Sequence, residues 1–114
     1  MDHILNDLNQ AVGIIGSMVF TRDGEFVTGR IGKSIDRETG AALAADMIKG
    51  FCTQFSKIGK DDFSQVMLEA MNGKIVVYNT GPAYLFVLAN QNIHLNVTIL
   101  DIQSASRRIR KELE

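Results

Sequence analysis

The chain has one cysteine, one proline, two histidines and no tryptophan among its 114 residues. Cys52 alone cannot form an internal disulfide, which excludes the cross-linked scaffold typical of small secreted domains. His3 and His94 lie far apart with no partner at ligand spacing, so no metal site or cofactor is expected. Charge of one sign is missing too: 12 Lys and Arg stand against 13 Asp and Glu, and the net charge of −1 gives no global pull toward nucleic acid or an anionic membrane. No run approaches the ~20 apolar residues that span a bilayer. The opening Met1-Asp2-His3-Ile4 lacks the basic and apolar regions of a signal peptide. A soluble, cytoplasmic protein without nucleic-acid partners or membrane insertion is the expectation.

What is present is ordinary for a folded domain: 46% hydrophobic and 22% charged residues, at a length that fits a single domain over 1–114. Ile4, Leu5, Leu8 and Ala11 recur at helical spacing behind Asp2, a candidate N-cap. Residues 12–21 are rich in β-branched and apolar side chains. They lead through Asp23-Gly24 to a second short strand from Phe26 to about Arg30, a hairpin signal because glycine accepts positive φ. After a connector over 31–36, Asp36 and Glu38 open a long helix over 37–58, and Gly59 stops it. Phe63–Met71 and Lys74–Asn79 flank Asn72-Gly73, a second hairpin signal. Thr80-Gly81-Pro82 then turns into Ala83–Ala89, apolar on both faces, which must therefore be covered on both faces. A last helix runs from about Ile93, behind Asn92, to Leu113, although Ile93, Leu95, Val97 and Ile99 also alternate as a strand would.

The order α-β-β-α-β-β-β-α predicts an α+β fold: one five-stranded antiparallel sheet, the long helix on one face and the two terminal helices on the other. On a helical wheel, Leu43, Met47, Phe51, Phe55 and Ile58 cluster in an arc wide enough to dock the long helix on the sheet. Ala41, Ala45, Ile48 and Cys52 extend the apolar arc to roughly 200°, about twice what docking on a sheet needs. A second copy of the same helix across a two-fold axis would cover that stripe. The strand over 63–71, read as a sheet edge carrying Val66 and Leu68, points the same way, because long apolar edges are normally protected. Ala41, Ala45, Ile48, Cys52, Val66 and Leu68 are thus the expected homodimer interface.

Val12-Gly13-Ile14-Ile15-Gly16, Val19-Phe20-Thr21, Asp23-Gly24, the run Gly40-Ala41-Ala42-Leu43-Ala44-Ala45, Asn72-Gly73-Lys74 and Ala83-Tyr84-Leu85-Phe86-Val87-Leu88-Ala89 follow in an order that resembles the Roadblock / dynein light chain family. The likeness is greatest to bacterial and archaeal members that partner Ras-like GTPases, and it covers essentially the whole chain. One departure is His94, where the family often has a glycine. The resemblance implies dimers whose edge strands join two sheets into one, with the long helices paired. It also implies that the paired-helix surface receives a Ras-like small GTPase and that some members stimulate GTP hydrolysis. On that reading Asp46, Lys49 and Thr53, with Glu38 near the helix start, are the candidate partner contacts. The alternative is a structural adaptor of a motor or membrane-associated complex with no effect on nucleotide turnover.

Chemistry within the chain itself is not expected. Gly32-Lys33-Ser34 lacks the upstream glycine and the preceding buried strand of a phosphate-binding loop. Ser17 and Ser34 have no visible base, and Cys52, mid-helix, reads as a small apolar residue. Arg22, Arg30 and Arg37 are the loop-edge arginines that could enter a partner's site. Arg107, Arg108, Arg110 and Lys111 form a basic cluster that suits either a phosphate or partner contact or the negative end of a helix. The chain therefore reads as a non-catalytic binding module.

Overall fold

A computed structural model describes residues 1–30, 37–59, 63–71, 73–90 and 95–114. The elements are α1 (Asp2–Asn9), β1 (Ile14–Thr21), β2 (Phe26–Arg30), α2 (Arg37–Lys57), β3 (Gln65–Ala70), β4 (Gly73–Asn79), β5 (Ala83–Asn90) and α3 (Leu95–Leu113). The strands form the expected single antiparallel sheet, in the order β2-β1-β5-β4-β3. The proposed caps Asp36 and Asn92 lie outside the described residues. From Leu95 onward the chain is helical, and the strand-like alternation there gives way to the helical one.

β5 lies at the centre, and its alternation divides the core. Leu85 and Val87 face α1 and α3 together with Val19 and Val76, and Ile4, Leu5, Leu8, Ile102 and Ile109 pack down on them. Tyr84 and Phe86 face the other way with Met18, Phe20 and Val77, and Ala44 and Ile48 of α2 cover them. The α1–α3 side is also tied by polar links. Arg108 donates to Asp7 at 3.1 Å, and buried Ser17 donates to Asn9 at 2.8 Å. The Met1 ammonium, 2.7 Å from Glu112, holds that carboxyl below the usual carboxylate range.

Three expectations change. Asp2 is the first helical residue rather than the cap, because its carboxylate is drawn toward β2, where Thr28 donates to it and Arg30 lies 3.9 Å away. The first hairpin closes as expected through Arg22-Asp23-Gly24, with Gly24 at φ +85° donating to the Thr21 carbonyl at 2.9 Å. In the second hairpin Ala70 pairs with Gly73, so Gly73 already belongs to β4, and Asn72 lies outside the described residues. The glycine serves close packing: a Cβ there would stand 2.8 Å from the Ala89 carbonyl oxygen on β5.

The third change is the rotation of α2. Ala44 and Ile48 are sealed against the sheet, Ala41, Ala45, Phe51, Cys52 and Phe55 are half-buried beside them, and Leu43 and Ile58 are 61% and 70% exposed. The docking arc is therefore centred on the residues the wheel had assigned outward, and Leu43 and Ile58 are not part of it. Small side chains explain the shift: Gly40, Ala41, Ala44 and Ala45 let the helix backbone approach strands that carry large rings. Bulk comes from the sheet side, where Phe63 stacks on Tyr84 at 5.2 Å and meets Phe51 and Phe55 edge-on or tilted.

Candidate functional site

With Ala44 and Ile48 turned inward, α2 presents an outer face and one open flank. Glu38, Asp46, Lys49 and Thr53 all lie exposed, and their spacing places them within one arc of about 80°. Thr53 turns its hydroxyl back to the Lys49 carbonyl at 2.9 Å, a local helix contact that takes up its donor. The Lys49 stem runs over the β1–β2 turn, where a Cβ on Gly24 would come within 2.9 Å of its Cε. Two carboxylates, one ammonium and a capped hydroxyl make a polar surface of mixed sign, suited to recognising a protein rather than a uniformly charged ligand.

The expected interface residues separate into three groups. Ile48 is 0% exposed within its own chain, so it belongs to the core and cannot meet a second copy. Ala41, Ala45 and Cys52 are half-buried against the sheet, with Cys52 Sγ 3.2 Å from the Tyr84 hydroxyl. Val66 and Leu68 lie on β3, which is a sheet edge; Val66 is half-buried and Leu68 exposed. Their cross-strand partners Val77 and Ile75 place them on the α2 face.

The wheel missed the open flank. Leu43 and Met47 of α2, Ile75 of β4 and Leu88 of β5 line an apolar cleft of about 180 Å³, floored by Met18 and Phe86. Leu68 pairs directly with Ile75, so the edge strand β3 lies next to the cleft's wall. The alanine-rich stretch was the available sign: small residues mark where a helix comes closest to its own sheet, so larger neighbours on the next flank must look elsewhere.

The structure ties down most groups that chemistry would need free. Arg22 donates to Asn79 at 2.7 Å and sits 4.7 Å over the Tyr84 ring, and Arg30 lies beside Asp2. Ser17 is buried and bonded to Asn9. Ser34, Lys33 and His94 lie outside the described residues, as does the side chain of Arg37. Among the described residues no three of His, Cys, Asp and Glu converge, and no helix is long and apolar enough to cross a membrane.

The sheet order and the single long helix on one face have close counterparts. An uncharacterised protein of Methanocaldococcus jannaschii is 28% identical over 110 residues, which cover 96% of each chain. The Roadblock/LC7 domain of Streptomyces avermitilis superimposes with a TM-score of 0.76 at 18% identity, covering 99% of this chain and 97% of that one. MglB of Myxococcus xanthus superimposes with a TM-score of 0.85 at 18% identity, covering 96% and 84%. The family model of the Roadblock/LC7 domain matches residues 1–89, and with five strands and three helices in the same arrangement the chain belongs to the Roadblock/LC7 family.

Proposed function

We propose that this chain is one protomer of a cytoplasmic homodimer that binds and regulates, or scaffolds, a Ras-like small GTPase without being an enzyme itself. The observation that carries the dimer is an apolar cleft beside α2 with the edge strand β3 next to its wall, Leu68 of β3 pairing with the cleft residue Ile75. Edge strands present free N–H and C=O groups that another strand satisfies. A second copy across a two-fold axis would pair with β3 and lay its own α2 beside Leu43 and Met47. Val66 and Leu68 keep their place in this interface, Ala41, Ala45 and Cys52 stand behind it, and Ile48 leaves it. Glu38, Asp46, Lys49 and Thr53 then lie on the outer surface of the paired helices, where the GTPase docks. Family membership supports the partner class, and the mixed polar surface of α2 supports a protein ligand.

The test is to measure GTP hydrolysis and complex formation by a small GTPase encoded in the same genome, with and without this chain. Faster turnover, or binding that depends on whether GTP or GDP is bound, supports regulation. Binding indifferent to the nucleotide makes the chain an adaptor, and absence of any complex removes the reading.

A further inference from the structure

The face opposite α2 holds a second site. Ser106 and Arg107 each lie three or four positions from both Gln103 and Arg110 along α3, so the four share one stripe of the helix. That stripe overhangs the end of β4, and between them lies a polar recess of about 370 Å³, whose far wall is Tyr78, Asn79 and Thr80. Among the described residues no carboxylate lines it.

The four basic residues of the C-terminal cluster have different environments. Arg108 turns to Asp7 on α1, a structural tie. Arg110 lines the recess and spends only Nε, on Glu114 at 3.0 Å, so its terminal nitrogens bond to no described residue. Arg107 lines the recess too, and its guanidinium has no partner among the described residues. Between them Ser106 is 5% exposed, yet no hydrogen bond ties its hydroxyl to another described residue, although that oxygen is not sealed from solvent. That hydroxyl is therefore open to water and available to a ligand that enters the recess. The Gln103 amide and the Tyr78 hydroxyl are similarly uncommitted. The other two residues of the far wall are already engaged: the Asn79 oxygen accepts from Arg22 and from the Gly81 amide, and Thr80 donates to the Ala83 carbonyl.

A helix end would accept cations anywhere on its surface. It does not require two arginines, a hydroxyl and an amide to line one concave space whose described lining holds no Asp or Glu, with Glu114 engaging only the Nε of Arg110. We propose that this recess binds a small soluble phosphate monoester, its oxygens held by Arg107, Arg110 and Ser106 and its ester group lying toward Tyr78 and Gln103. Planar guanidinium groups match phosphate geometry with paired donors, which a lysine in the same place would not. The site lies on the α3 face, so it stays open when the α2 surface is occupied, and it stands whether or not a GTPase binds there.

The isotope-labelled 114-residue chain, titrated with phenyl phosphate at constant ionic strength and followed by the amide and arginine Nε signals of residues 78–81 and 103–110, tests the site. The expected result is saturable shifts confined to those residues. Binding should weaken at least fivefold in Arg107→Gln and further in Arg107→Gln/Arg110→Gln, both with native spectral dispersion, and remain unchanged in Arg108→Gln. Shifts that fail to saturate, or that weaken equally in Arg108→Gln and Arg107→Gln, would mean diffuse charge screening and overturn the proposal. Binding to vesicles containing phosphatidic acid without a response to phenyl phosphate would also overturn it, by making the cluster a membrane contact.

Discussion

The two faces of the sheet were built by opposite means. On one, α1 and α3 bring long side chains, Ile4, Leu5, Leu8, Ile102 and Ile109, down onto the smaller Val19, Val76 and Val87, and the contact is sealed and laced with polar ties between the helices. On the other, α2 brings mostly small residues down onto large rings, and one flank stays open over Ile75 and Leu88. Two helices side by side cover a five-stranded sheet, whereas one helix about 10 Å wide cannot. The closed face is where stability concentrates, and the open face is where apolar surface is left uncovered.

Breaking the closed face should have the largest effect. Leu85→Ala, at the centre of β5, should cost about 2–5 kcal/mol in denaturant unfolding, as buried leucines do. Ile48→Ala should approach that loss because it too is sealed, whereas Leu43→Ala on the same helix should change protomer stability by less than about 0.5 kcal/mol. Equal losses at Ile48 and Leu43 would contradict the rotation of α2 described above. Gly73→Ala should cost about 1–3 kcal/mol, since its methyl group presses on the Ala89 carbonyl, and the same experiment at Gly50, which meets nothing, should show no such clash. Leu43→Glu and Leu68→Lys should leave the far-ultraviolet spectrum unchanged and shift sedimentation toward the monomer; a dimer that survives both would remove the open flank from the interface. The smallest effect is at Glu112. Its folded pKa is lowered by the Met1 ammonium, so its contribution is present above the unfolded carboxylate value and is lost as pH falls through the folded one. Glu112→Gln should flatten that part of the acid limb, and salt should shrink the difference because the pair is at the surface.

Much of the fold was legible because it rests on local rules. Ala83–Ala89, apolar on both sides, demanded cover on both sides, and β5 is indeed central with a core cluster on each face. Asp23-Gly24 marked a hairpin because only glycine tolerates that φ cheaply. The rotation of α2 was not legible. A wheel gives the width of an apolar arc but no zero angle, and the angle is set by which side chains fit against Tyr84 and Phe86. Gly73 likewise read as a turn residue, whereas its role comes from a strand far along the chain.

In the basic cluster, the sequence determined that Arg107, Arg108 and Arg110 sit within one turn of a helix, and the 3.6-residue period turns Arg108 away from the stripe that Arg107 and Arg110 share. Only the tertiary structure decided that Arg108 meets Asp7 on α1 while Arg107 and Arg110 overhang the end of β4. The same division holds for the molecule. Periodicity and turn chemistry, which act between near neighbours, determined the elements and their order. Which flank of α2 is open, which strand is an edge and which arginines converge depend on contacts between residues distant in sequence, and those exist only once the sheet has assembled.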